Sequence, residues 1–327
     1  MKIKSGNILV GFFALLIAFV AITGAWALFL SSKIDLEKEQ IFNVKKGQGL
    51  SAIARSLEEE GVIHSPFFFK LSATMMFADK NLQAGSYKFN KDISIRDIIK
   101  MLARGHTVTY KVTIPEGLRT HEILAILKAS PQISGDFNAL NLTEENLLLP
   151  ETYQYTHEED VKQILLRMKE AMLLALDEAW ENRDNNLPLR NKMELLTLAS
   201  IIEKETGVDS ERSEIAGVFV NRLNKRMRLQ SDPTVIYGLK DYKGDITYKH
   251  LKTDHPYNTY TRRGLPKGPI AHPGVASLKA AANPNVTENI YFVAKGDGGH
   301  VFAKSHAEHK KNVAAYLKKY RKLVSGK

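Results

Sequence analysis

Residues 8–30 read ILVGFFALLIAFVAITGAWALFL, a run of 23 positions without one charged side chain. At 1.5 Å per helical residue it is long enough to cross the roughly 30 Å hydrocarbon core of a bilayer, so it is predicted to be a single transmembrane helix. Lys2, Lys4 and the amino terminus precede it. The positive-inside rule therefore places a short tail, residues 1–7, in the cytoplasm and everything after Leu30 across the membrane, with Trp26 near the outer interface. A cleaved signal peptide is the alternative, since Ala25-Trp26-Ala27 resembles an A-x-A cleavage site. The apolar run exceeds the usual h-region of about 7 to 15 residues, which favours an uncleaved anchor.

The exported remainder of a 327-residue chain is long enough for about two folded units. A formal charge of +10 suits an anionic partner or surface, and charge alone does not choose between them. There are no cysteines, which removes disulfide frameworks, thiolate metal sites and cysteine nucleophiles together. Nucleic-acid binding through the basic balance is disfavoured by export, and no nucleic-acid partner is expected.

Residues 31–40 read as a short polar tether spanning at most about 35 Å, which would hold whatever follows near the membrane. Residues 41–110 are expected to form a small module with linking elements. It comprises a strand at 41–45, a Gly47/Gly49 turn, a helix carrying Leu50, Ile53, Ala54 and Leu57 with Ser51 as its cap, a second helix from Ser65-Pro66, and a returning strand at 85–89. Ser94 reads as the cap of a helix running through Leu102. The Pro115-Glu116-Gly117 turn marks the approach to a second domain, 111–327, with helices expected at 120–128, 159–182, 191–206 and 211–224. After Ser231 the chain turns rich in Gly, Pro, Tyr and Asn, ends in a hairpin of 290–294 with 300–303, and closes with a basic helix opened by Ser305-x-x-Glu308. The predicted class is α+β: a mainly helical domain with a β-hairpin and a loop-rich later part.

Motifs for nucleotides, dinucleotides, zincins and α/β-hydrolases are absent. His300, His306 and His309 lack a carboxylate or Cys partner at ligand spacing, so neither a metal nor another cofactor is expected. The informative segment is MELLTLASIIEKETG. On a helical wheel Leu195, Leu198, Ala199 and Ile202 share one stripe, Lys204 lies opposite, and Glu203 and Glu205 fall on the two margins. A glutamate at such an edge is expected to be partly desolvated and its pKa raised, so that it can deliver a proton to a leaving oxygen. The wheel does not say which of the two, and a Glu-Lys-Glu run near a helix end is also compatible with a plain solvated face. Gln230, Asp232, Tyr237, Tyr257, Asn258 and Tyr260 lie among turn-forming residues, a mixture that suits sugar hydroxyls and loop-stabilising hydrogen bonds equally.

Longer motifs break the tie. LLPETYQY (148–155), LASIIEKET (198–206), FVNRL (219–223), MRLQSDPTVIYGL (227–239), PYNTYTRRGLPKGPIAHPG (256–274), SLKAAANP (277–284) and IYFVAKGDGGHVFAKSHAEH (290–309) follow one another in the chain. In this set and order the sequence resembles the endolytic murein transglycosylases, the YceG-like proteins of the bacterial inner membrane. The resemblance spans nearly everything after the anchor. Leu149 stands where that family often has Trp or Phe, and His272 stands where a small polar residue is common.

The resemblance implies a single-pass anchor, a LysM-like module at the strand-helix-helix-strand unit, and a periplasmic catalytic domain whose essential glutamate is the first of the IIEKET motif, Glu203. It implies a lytic transglycosylase that cuts the MurNAc-GlcNAc β-1,4 bond within peptidoglycan strands to leave 1,6-anhydroMurNAc ends and so terminates nascent strands. Enzymes of cell-wall synthesis are candidate partners. Gln230, Asp232, Tyr237 and Asn258 are nominated as substrate-binding groove residues. A non-catalytic, membrane-tethered peptidoglycan-binding protein is the competing expectation, and an intact Glu203 motif argues against it.

Overall fold

A computed structural model describes residues 5–137, 147–239, 242 and 244–325. Lys2 and Lys4, on which the orientation of the anchor depends, lie outside the described residues. The chain divides into two compact units, residues 1–110 with 154–158, and residues 111–153 with 159–327.

The first unit opens with helix α1 (Ser5–Ser31). Its stretch Phe12–Ser31 has a mean hydropathy of 2.4 and leaves nearly all of its surface exposed, so by length and composition it can cross a membrane. The expected tether does not follow. Residues 33–35 form strand β1 (Lys33–Asp35), and Leu30 and Leu36 are buried in the core of the unit. A ten-residue polar linker would have gone free in water. The two leucines and Ile34, which stands opposite Ile93, give the segment enough apolar surface to stay docked.

Strand β2 (Gln40–Val44) is followed by α2 (Leu50–Glu59), α3 (Pro66–Met75), β3 (Gly85–Phe89), β4 (Asp92–Ser94) and α4 (Ile95–Arg104). β2 and β3 pair antiparallel with Phe42 opposite Tyr87, and Phe42 stacks on Phe89 at 5.7 Å. Alternation puts Phe42 and Val44 inward against Ile53, Ala54 and Leu57 of α2 and Phe69 and Ala73 of α3. Ser51 is not the cap of α2. The helix begins two residues earlier than that cap would allow, with Gly49 in extended backbone at the N-cap and no side-chain bond, because Leu50 already packs against the core. Ser94 does cap α4, its hydroxyl accepting from the Asp97 N–H at 3.1 Å.

The second unit follows strand β5 (Tyr110–Thr113), at which the chain leaves the first. Its elements are α5 (Thr120–Ala129), β6 (Ile133–Ser134), the first half of β7 (Thr152–Tyr155), whose last two residues count with the first unit, β8 (Glu159–Asp160), α6 (Val161–Glu181), α7 (Lys192–Glu205), α8 (Arg212–Asn224), α9 (Asp232–Gly238), α10 (Tyr248–Lys252), α11 (Val275–Ala282), the antiparallel hairpin β9 (Tyr291–Ala294) and β10 (His300–Ala303), and α12 (His306–Ser325). The region after Ser231, expected as loops, thus carries three short helices. One of them is central: α11 packs along α7 through Leu278, Ala280, Ala281 and Ala282, all buried. Small side chains let the backbones close up, a geometry with no signature in hydrophobic periodicity. The approach is similarly close at Gly217 of α8, where a Cβ would meet the Asn285 carbonyl oxygen at 2.6 Å.

Candidate active site

Helix α7 decides where the two glutamates go. Its residues 195–202 are all buried, not only the predicted stripe of Leu195, Leu198, Ala199 and Ile202. An apolar helix enclosed on every side runs through the middle of the unit, and Glu203, Lys204 and Glu205 are the turn where it emerges. The two carboxylates therefore do not flank one face. Each enters a different polar cluster.

Glu203 is almost enclosed, its side chain 6% exposed. Its Oε2 accepts the Gly274 N–H at 3.0 Å, at the N-cap of α11, and its Oε1 lies 3.6 Å from Nη2 of Arg212. That same nitrogen lies 3.6 Å from Oε2 of Glu116. The guanidinium is buried at the start of α8, donates through Nε to Ser277 Oγ at 3.2 Å and also pairs with Asp209. One cation thus faces two carboxylates, whose nearer oxygens can be no more than about 7 Å apart. Burial first, then the Glu203 charge, pushes the Glu116 carboxyl above its ordinary range, and Glu151 adds to this while Arg212 opposes it. Glu116 is the more open of the two, 41% exposed, and it sits where a side chain on Gly274 would be: a Cβ there would fall 1.6 Å from Glu116 Oε1.

The loop bearing Glu116 is fixed from both sides. Gly117, in the left-handed region at φ 77°, donates its N–H to the His272 carbonyl at 2.9 Å and accepts from Lys204 Nζ at 3.0 Å. His272 is fully buried, with Nδ1 3.0 Å from the Leu148 backbone, Nε2 3.0 Å from Thr120 Oγ1 and its N–H donated to Leu118 O at 2.8 Å. Burial holds its pKa down to about 4, so at neutral pH the ring is an uncharged clamp joining residues 117–120, 148 and 272–274. His272 is thus what ties these loops together. Beside them opens a cleft of about 540 Å³, lined among others by Gly117, Arg119, Lys204, Pro233, Ile236 and Ile270.

Glu205 belongs to the second cluster. It accepts from Ser231 Oγ at 2.5 Å, while Asp232 accepts from the Tyr260 hydroxyl at 2.5 Å. Burial raises Glu205 to about 7 and the Asp232 charge adds to this, with the Ser231 hydrogen bond, His300 and Arg222 pulling the other way. A carboxyl raised in the folded state contributes stability fully below its unfolded value near 4.5, and that contribution disappears as pH rises through about 7. Wild-type protein should therefore lose up to about 3 kcal/mol between those limits. Glu205→Gln, which keeps an acceptor for Ser231, should gain that amount relative to wild type between pH 4.5 and 8. Chemical denaturation across this range measures it, and parallel curves for the two proteins would show that Glu205 does not titrate there.

The four nominated groove residues have distinct places. Asp232 joins Tyr260 in the Glu205 cluster. Tyr237 meets Tyr257 edge to face at 4.7 Å and lies under the Arg119 guanidinium at 4.8 Å, and so adjoins a residue that lines the cleft. Gln230 is exposed and held at φ 49°, its N–H donated to Thr259 O at 3.2 Å. Asn258 is 1% exposed; its Nδ2 donates to the carbonyls of Leu251 and Thr253 at 3.1 and 2.7 Å, and its Oδ1 accepts from the Tyr260 N–H at 2.8 Å. Its amide therefore shapes the 250–261 turn. Glu116, read from sequence only as a turn residue, and Arg212 and Gly274 were not among the site residues nominated from sequence. Each lies in a different segment, and only the fold brings them to Glu203.

Comparisons with known proteins give the family of the chain. The model of the YceG-like family matches residues 42–315. An endolytic murein transglycosylase of Bacillus subtilis is 33% identical over 307 residues, covering 84% of this chain and 84% of that protein. One from Streptococcus pneumoniae D39 is 28% identical and covers 84% of this chain, which spans 58% of that longer relative. Among solved structures, a YceG-like protein from Listeria monocytogenes superposes with a TM-score of 0.53 at 30% identity, over 84% of this chain and 99% of that one.

Proposed function

The chain belongs to the YceG-like family, and on that premise we propose that it is an endolytic lytic transglycosylase of peptidoglycan with Glu203 as its acid and base. The observation that carries the reading is the setting of Glu203. It is nearly enclosed at the end of an apolar helix, with one oxygen fixed by a backbone N–H and the other facing a guanidinium shared with Glu116.

In this mechanism Glu203 donates its proton to the glycosidic oxygen as the bond from C1 of N-acetylmuramic acid breaks, the electron pair leaving with that oxygen. The resulting carboxylate then takes the proton of the sugar's own C6 hydroxyl as O6 closes on C1, and the acid is regenerated. No water enters. The attacking hydroxyl belongs to the substrate, so proximity replaces a second catalytic carboxylate, and negative charge at the Glu203–Glu116 pair faces the developing oxocarbenium. The Gly274 N–H and Arg212 keep the glutamate in one rotamer through both transfers. Gln230, Asp232 and Tyr237 extend the reading to the groove, with Asn258 holding the turn beside them.

The same proposal places α1 as a single-pass anchor in the bacterial inner membrane, its start in the cytoplasm and the second unit in the periplasm. It reads the β2-α2-α3-β3 unit as a LysM-like glycan-binding module. Nascent strands within reach of the membrane are then the substrate, and cutting them ends their elongation, with wall-synthesis enzymes as candidate neighbours.

Mass spectrometry of products from purified glycan strands tests the chemistry. The expected cut ends are 1,6-anhydro sugars, lighter than hydrolysed ends by one water. Reducing ends alone would mean that water is the nucleophile, with Glu116 the carboxylate to test as its activator. No cleavage at all, with strands still bound, would favour the non-catalytic tethered binder.

A further inference from the structure

Helix α3 of the first unit has a face that its fold leaves bare. Phe69, Ser72 and Ala73 point into the core, whereas Phe67 (64% exposed), Phe68, Leu71 and Met75 share an arc of about 100° on the opposite side with no charged residue in it. Just past the helix, Phe77 stands 85% exposed with φ at 54°, a left-handed backbone that a bulky side chain rarely adopts. Four large apolar side chains in one uncharged arc, with a fifth exposed just beyond the helix end, are out of keeping with a surface meant for water or for sugar hydroxyls.

The patch continues onto α1. Phe68 meets Trp26 at 6.1 Å and Phe29 at 5.8 Å, and Phe67 lies edge-on to Phe68 at 5.5 Å. Trp26 and Phe29 belong to the last two turns of the apolar helix, the level at which a membrane span meets the headgroups and where aromatic side chains concentrate. No slack separates the two helices from the rest of the unit. Leu30 and Leu36 are buried in its core and β1 is paired with β4.

We propose that α3 is an interfacial helix, its Phe67, Phe68, Leu71, Met75 and Phe77 side chains seated among the lipid headgroups and first acyl carbons of the same bilayer that α1 spans. This rests on the reading of α1 as an anchor. The occupant is lipid because the patch is one surface with the exposed flank of α1 and offers nothing to a polar partner. The consequence is orientation: the small unit is laid against the membrane instead of swinging on a leash, which fixes the side it presents to glycan.

The absence of cysteine allows a direct test on the full chain in lipid vesicles. Single cysteines replacing Phe67, Phe77, Phe19 of α1, or Lys46 of an exposed turn would each carry an environment-sensitive fluorophore. Labels at 67 and 77 should emit blue-shifted, resist aqueous iodide and be quenched at least twofold by lipids spin-labelled near the headgroup. The label at 46 should behave as in water, and the one at 19 should respond to mid-chain spin labels. Iodide quenching at 67 and 77 equal to that at 46, with 19 still inside the bilayer, would overturn the proposal and leave the anchor standing. Protection from iodide without quenching by lipid would mean that a second copy of the chain covers the patch, and the proposal would again fail. A label at 19 untouched by lipid would remove the anchor itself.

Discussion

Replacing Glu203 by glutamine should lower the rate of glycan cleavage by roughly 10² to 10⁴, the loss typical of a missing general acid and base. Glutamine fills the same space and still accepts the Gly274 N–H. It cannot give or take the proton, while Arg212 keeps Glu116 and Asp209 as countercharges, so the unfolding midpoint should move little. Steady-state rates and thermal melts of the same preparation check both halves. Activity within tenfold of wild type would show that another group carries the proton, and Glu116, held beside the same guanidinium, is the one the geometry supplies.

Arg212→Met should damage stability more than any surface change. The guanidinium is 7% exposed and is the cation facing both Glu203 and Glu116. Methionine fills much of the volume but leaves Glu203, nearly dry, without its countercharge, and breaking a buried pair from one side costs about 3 to 5 kcal/mol. For a domain of this size that lowers the melting temperature by on the order of 10 °C. The deficit depends on pH with a definite sign. Without the cation, which holds the Glu116 carboxyl down against burial and the Glu203 charge, that carboxyl moves further toward its neutral form, so the loss should be largest at neutral pH and shrink as Glu116 takes up a proton at lower pH. Melting curves at pH 5 and 7.5 measure it. A variant melting within two degrees of wild type at both would mean that Glu203 needs no countercharge.

Part of this protein can be read without any fold. The apolar run that becomes α1, the strand-helix-helix-strand order of the first unit and the long helices of the second follow from local patterns, because composition and periodicity act over a few turns. The tether fails as a reading for the same reason. Lys33, Asp35 and Glu37 look like linker, and only pairing with Asp92–Ser94 and burial of Leu30 and Leu36 make that segment structure. Helix α11 was hidden because it packs through alanines, whose value lies in how near another helix can come.

The candidate site divides along the same line. Sequence alone brought attention to the Glu203–Glu205 pair and to the motifs around it, since both glutamates end one apolar helix. A helical wheel treats them as equal margins of a stripe. With residues 195–202 enclosed on all sides the stripe does not exist, and tertiary structure sends Glu203 to Arg212, Glu116 and the Gly274 N–H, and Glu205 to Ser231 near Asp232. Glu116 is 87 residues from Glu203 and Gly274 is 71 residues beyond it. Charge and burial at a single point depend on every segment that reaches it, so the chemistry-bearing residue types were legible along the chain, and their environment came only from the packing of α7, α8 and α11 with the loop clamped by His272.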